Sequence, residues 1–166
     1  MILGLSIATF TLVHAIISLV GIATGLVVLL GMLRGHMHAG WTAIFLATTL
    51  LTTLTGFLFP ISGFTPALGT GVLSTIILAV ALPALYVFHL AGAWRPIYVV
   101  TAIAALYLNV FVAVVQAFQK LGPLQELAPT QSEPPFLAAQ GFVLALLLIA
   151  GFVALRTFWP ARSAHA

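Results

Sequence analysis

Arg34-Gly35-His36-Met37-His38-Ala39-Gly40-Trp41 is the first polar break after more than thirty almost uninterrupted apolar residues. It carries the first charged side chain, two of the five histidines and one of the three tryptophans. An apolar run of that length, closed by an arginine and a tryptophan, marks a helix that crosses a bilayer and ends at its interface.

Composition agrees. The 166 residues are 63% hydrophobic and only 4% charged, with mean hydropathy +1.26, whereas a soluble domain carries about 25% charged residues. So few charges cannot cover a water-soluble globule of this size, and lipid must solvate most of the surface. A pI near 10 rests on five basic against two acidic side chains. No basic cluster exists, so nucleic-acid binding has no support. The absence of cysteine removes disulfides, thiolate metal sites, iron–sulfur clusters and cysteine nucleophiles. No Lys or Arg precedes Arg34, and the first apolar run is too long for a signal peptide, so it is expected to be a retained transmembrane helix.

Five spans are expected, at about 2–33, 40–59, 72–94, 97–119 and 137–158, in one transmembrane domain covering 1–166. The fold class is all-α, an integral membrane bundle of five helices. In the first span His14, Ser18, Gly21 and Gly25 share a face, and Gly21-Ile22-Ala23-Thr24-Gly25 is a GxxxG that admits close helix approach or a homo-oligomer seam. In the second, Thr48, Thr49, Thr52, Thr55 and Gly56 share one side. They are either packing groups that bond back to their own helix or the lining of a polar pocket. Pro83 falls at the centre of the third span, where it should kink it, and Thr75, Ala79, Leu82, Tyr86 and His89 share a face. Arg95-Pro96 reads as a very tight connection to the fourth span, in which Ala102, Ala105, Asn109, Ala113 and Gln116 share a face. Residues 120–136 form the one long loop, with both acids, Glu126 and Glu133, and four prolines. Leu124 to Leu127 could make one helical turn there, and the proline density favours a stiff, extended excursion rather than a domain.

Orientation follows from charge. Arg34, Arg95, Arg156 and Arg162 fall on one side and Lys120 alone on the other. The positive-inside rule then places the N-terminus out and the C-terminus in. Trp41, Trp94 and Trp159 land at that inner interface, as an aromatic belt does.

Polar residues inside the membrane are the candidate functional groups. At about 1.5 Å per residue, Asn109, Thr48 and Thr49 come to the midplane, His14 ~5 Å outward, Gln116 and Gln140 ~11–12 Å outward, and His89 ~9 Å inward. His14 with Asn109 is the leading pair, either as a packing network or as a small-molecule, quinone-headgroup or proton-relay site. The candidate ligand-binding set is His14, Thr48, Thr49, Thr52, Asn109, Gln116 and Gln140. A transmembrane haem b needs two ligands at one depth, and the ~14 Å offset of His14 and His89 argues against a shared haem. As a cofactor ligand His89 could pair with His36 or His38 only if the first loop folds back into the membrane. His36-x-His38 is weak as a metal site, since two histidines are too few for structural zinc and no carboxylate or cysteine lies nearby. Arg34, His36, His38 and Arg95 read as an interfacial rim that meets anionic headgroups, and His165 lies in the short tail. With Glu126 and Glu133 the only carboxylates, and both in the outer loop, no Ser-His-Asp triad can form.

Residues 14–26, 107–112 and 127–136, together with Leu90-Ala91-Gly92-Ala93-Trp94-Arg95 and 97–102, resemble a group of small uncharacterised bacterial inner-membrane proteins. The resemblance covers most of the chain. It implies a bacterial inner-membrane location and no known activity, and it draws attention to His14, Asn109 and Glu133. The leading expectation is a non-enzymatic accessory or scaffold subunit, with a lipid or quinone in the polar midplane. The alternatives are a small transporter or channel lined by His14, the threonine stripe and Asn109, and a haem or quinone redox protein. The bilayer is the expected partner, with a membrane protein or a second copy through Gly21 and Gly25.

Overall fold

The computed structural model describes residues 1–60, 63 and 66–159. Arg162 and His165 lie outside them. Among the described residues six helices follow one another: α1 (Ile7–Leu33), α2 (Ala39–Gly56), α3 (Pro66–Tyr86), α4 (Trp94–Lys120), α5 (Gly122–Leu127) and α6 (Pro134–Thr157). All but the short α5 are long and apolar enough to cross a membrane. This is the all-α architecture of a multi-pass integral membrane protein. The five long helices close a ring in the order α1, α2, α3, α4, α6, and α1 also touches α4 across the middle. The core where they meet holds Phe45, Leu46, Tyr98, Leu106 and Phe158.

The first polar break is a helix stop of defined geometry. Gly35 takes φ +74°. Its N–H bonds Met32 O at 3.1 Å, and the N–H of His36 bonds Gly31 O at 2.9 Å. This pair of bonds is the Schellman ending, which only a left-handed residue completes. It turns the chain back over the last turn of α1. At the other end of α1, the Ser6 hydroxyl caps by accepting from Thr9 N at 3.1 Å.

Several helix limits differ from the hydropathy reading, each for a local backbone reason. α1 starts at Ile7, not residue 2, because Ile2 and Leu5 bond each other in a turn. α3 starts at Pro66, where proline's fixed φ suits the first helical position. It ends at Tyr86 because His89, Leu90 and Gly92 all take positive φ. Pro83 therefore lies in the last turn of α3 and not at its centre. The link to α4 is the turn 87–93, and Arg95-Pro96 sits inside the first turn of α4. α6 starts with Pro134 and Pro135, behind Glu133.

The long loop is not an extended excursion. Residues 122–127 form α5, and Ala128 packs with Phe118 of α4 and Phe136 of α6. Gln131 Nε2 donates to Val115 O at 3.0 Å and ties the loop to the α4 backbone.

Candidate functional site

The deepest polar layer is built by α1, α2 and α4. Gly21, Thr49 and Asn109 each lie within about 3 Å of the middle of their helix at 1.5 Å per residue. Asn109 Nδ2 donates to Thr49 Oγ1 at 3.0 Å, and both residues are buried. Gly21 makes this approach possible: a Cβ there would lie 3.3 Å from Thr48 Oγ1 and 3.5 Å from Asn109 Nδ2. One turn on, a Cβ on Gly25 would come to 2.8 Å from both Leu106 Cδ1 and Phe45 Cε2. The GxxxG face thus packs against the chain's own α2 and α4, the close helix approach that such glycines admit.

His14 does not join this layer. Its Nδ1 lies 2.8 Å from Thr55 Oγ1, and Thr55 is the residue before the end of α2. The Thr55 hydroxyl donates to Leu51 O at 2.6 Å, so its oxygen accepts from a proton on His14 Nδ1. Phe59 stands edge-on to the imidazole, 5.3 Å between centroids. His14 and Asn109 therefore have separate partners, six residues apart along α2. The expected pair is not formed, because pairing depends on how each helix is rotated and not on depth alone.

The threonine face is also rotated from the expected one. Thr42, Thr49 and Thr53 are buried, and Thr53 Oγ1 meets Ser74 Oγ of α3 at 2.9 Å. Thr53 belongs to the threonine-rich second span but lies off the expected face, and Ser74 is not among the expected residues. Thr48 bonds back to Ile44 O at 2.7 Å, and Thr52 Oγ1 is buried without a partner. On α3 the buried residues include Leu78, Ala81, Ala84 and Leu85, while Thr75, Ala79 and Tyr86, and His89 in the turn that follows, are exposed.

Gln140 and Gln116 part company. Gln140 is buried and donates to Phe111 O at 3.2 Å, leaving its Oε1 unpartnered. Gln116 is exposed. α4 has 27 residues against 18 in α2, and Gln116 lies near the end of the longer helix.

One end of the bundle collects Arg34, His36, His38, Trp41, Trp94, Arg95, Arg156 and Trp159, by the alternation of the helices. Arg95 is the lock at that end. Its Nη1 donates to Leu155 O and Phe158 O, the free carbonyls at the end of α6, and its guanidinium lies 3.9 Å from the Trp159 ring. Thr157 Oγ1 adds a bond to Met32 O of α1 at 3.0 Å. Trp94 stacks on Phe88 with 3.9 Å between centroids. His89 is exposed on its left-handed turn, and among the described residues no three His, Asp or Glu side chains cluster.

The opposite end carries Lys120, Glu126 and Glu133. Glu133 accepts from Thr130 N at 3.1 Å, Thr130 Oγ1 at 2.8 Å and Ser132 N at 3.0 Å. Partial loss of water pushes its pKa up, but these bonds to the ionised form outweigh it and hold the carboxyl below its ordinary value. Glu126 is exposed.

No family model, no curated protein and no solved structure matches this chain. What the chain does has to be argued from the arrangement of its own side chains.

Proposed function

We infer that this protein is a non-enzymatic accessory or scaffold subunit of a bacterial inner membrane, with its N-terminus outside and its arginine-rich end inside. The observation that carries the reading is how the interior polar groups are used. Asn109 bonds Thr49, Thr53 bonds Ser74, Gln140 bonds the Phe111 carbonyl, and Arg95 closes the end of α6. Each contact joins one helix to another. A bundle tied this way holds a fixed shape in lipid, where packing and interhelical hydrogen bonds provide the association.

The midplane supports the scaffold part of the reading rather than a lipid or quinone pocket. At Gly21 the helices already approach so closely that a single added carbon would be crowded, which leaves no room for a headgroup between α1, α2 and α4. The orientation rests on the four arginines against Lys120 and on the three tryptophans.

Mild extraction from native membranes followed by native mass spectrometry tests this. A stoichiometric membrane-protein partner is the expected result. A chain that leaves the membrane alone, and by itself carries protons or a solute across liposomes, contradicts it. Loss of that flux in His14→Ala or Asn109→Ala, with the fold intact, would then place the function inside the bundle.

A further inference from the structure

Two of the chain's three methionines and two of its five histidines meet around one gap. Met32, His36, Met37 and His38 line it, with Thr42 of α2 and Tyr98 of α4 behind them. The backbone explains the convergence. The Schellman ending at Gly35 folds His36-Met37-His38 back over the last turn of α1. Gly31 leaves the space: a Cβ there would strike His38 Cδ2 at 2.8 Å and His36 O at 3.0 Å. His38 is thereby held against α1 although part of it faces outward.

The gap is too small for a water molecule. Behind it the Tyr98 hydroxyl, at the end of a fully buried side chain, stands beside the Thr42 side chain. A bare metal ion needs less room than water, because its bonds to imidazole nitrogen and to sulfur are only about 2.0–2.3 Å long. Thioether sulfur is a soft donor and imidazole a borderline one, and none of the residues that line the gap is a carboxylate or a thiolate. That donor set favours copper(I) over magnesium, calcium or manganese. The C-terminal ends of α1 and α6 also meet at this point, with Thr157 O only 3.1 Å from where a Cβ on Gly35 would stand. Helix C-termini attract a cation. Arg95, the neighbouring cation on α4, is taken up by the α6 carbonyls.

We propose that Met32, His36, Met37 and His38 bind one copper(I) ion at this end of the bundle. The Tyr98 hydroxyl closes the inner wall of the site. The site is independent of the accessory-subunit reading and stands or falls without it.

The test uses the full chain in detergent micelles, reduced with ascorbate and titrated with copper(I) against bathocuproine disulfonate. One copper(I) per chain should be withdrawn from the chelator. Met37→Leu combined with His38→Gln should weaken binding about 100-fold or more, since even changes around a metal's ligands cost 10–100-fold. Both side chains are partly exposed, and an unchanged helical circular dichroism spectrum verifies the fold. His14→Ala and His89→Ala should bind as the unaltered chain does. No withdrawal from the chelator overturns the proposal, as does equal binding by the double variant. Preference for zinc over copper(I) at the same four residues also overturns it, because the thioethers would then have no role.

Discussion

Asn109 shows what a single polar side chain does at the centre of this bundle. Its bond to Thr49 Oγ1 at 3.0 Å links α4 directly to α2. Interhelical hydrogen bonds in membranes average about 0.6 kcal/mol and reach about 1.7. A double-mutant cycle of Asn109→Ala and Thr49→Val, read by unfolding in mixed micelles, should give coupling in that range. Arg95 works at the rim. Replacing it with alanine frees two α6 carbonyls and removes the cation from the helix end, which should cost about 1–2 kcal/mol. The emission of Trp159 should change with it, because the guanidinium now covers that ring. Glu133 gives a pH-dependent contact. Its folded pKa lies below the ordinary value, so its contribution is complete above the unfolded glutamate range and disappears as pH falls through the folded value. Limited proteolysis of the loop before α6 should accelerate in acid. Glu133→Gln should show the faster cleavage already at neutral pH.

At the scale of the helix, glycine position decides how closely elements pack. Gly25→Ala drives a carbon into Leu106 and Phe45 and should cost about 1–3 kcal/mol, as overpacking does. Gly141→Ala, on the open side of α6 with nothing within 4 Å, should be neutral or stabilising, since alanine is the better helix former. Thermal unfolding of the two variants separates these outcomes. The same scale shows what the sequence made legible. The five spans are visible because lipid demands long apolar runs, and the midplane depth of Asn109 and Thr49 follows from residue counting alone. Helix limits were less visible: Pro66 and Pro134 begin helices inside stretches that read as loop, and the turn at His89, Leu90 and Gly92 leaves no mark in hydropathy. Helix rotation was invisible. It sends His14 to Thr55 and not to Asn109, exposes Gln116, and brings Thr53 to Ser74. Met32 next to His36 and His38 was equally hidden, because a Schellman turn, not sequence spacing, brings them together.

The molecule as a whole is a ring of five long helices with α1 and α4 in contact across it. α6 packs mainly on α4 and α1, and exposes Leu137, Phe142, Leu146, Leu148, Ile149 and Phe152. That surface needs an apolar surrounding, and lipid supplies it. Three long helices, α2, α3 and α4, separate Gly40 from Ser132. The chain has no cysteine, so one introduced thiol reports one position without background. The most direct measurement is labelling of Gly40→Cys and Ser132→Cys in intact spheroplasts with a membrane-impermeant maleimide. Three crossings and the arginine distribution predict that Ser132→Cys reacts from outside, and that Gly40→Cys reacts only after the membrane is opened. Reaction of both positions from the same side would contradict the five-span bundle, and reaction of Gly40→Cys alone from outside would reverse its orientation.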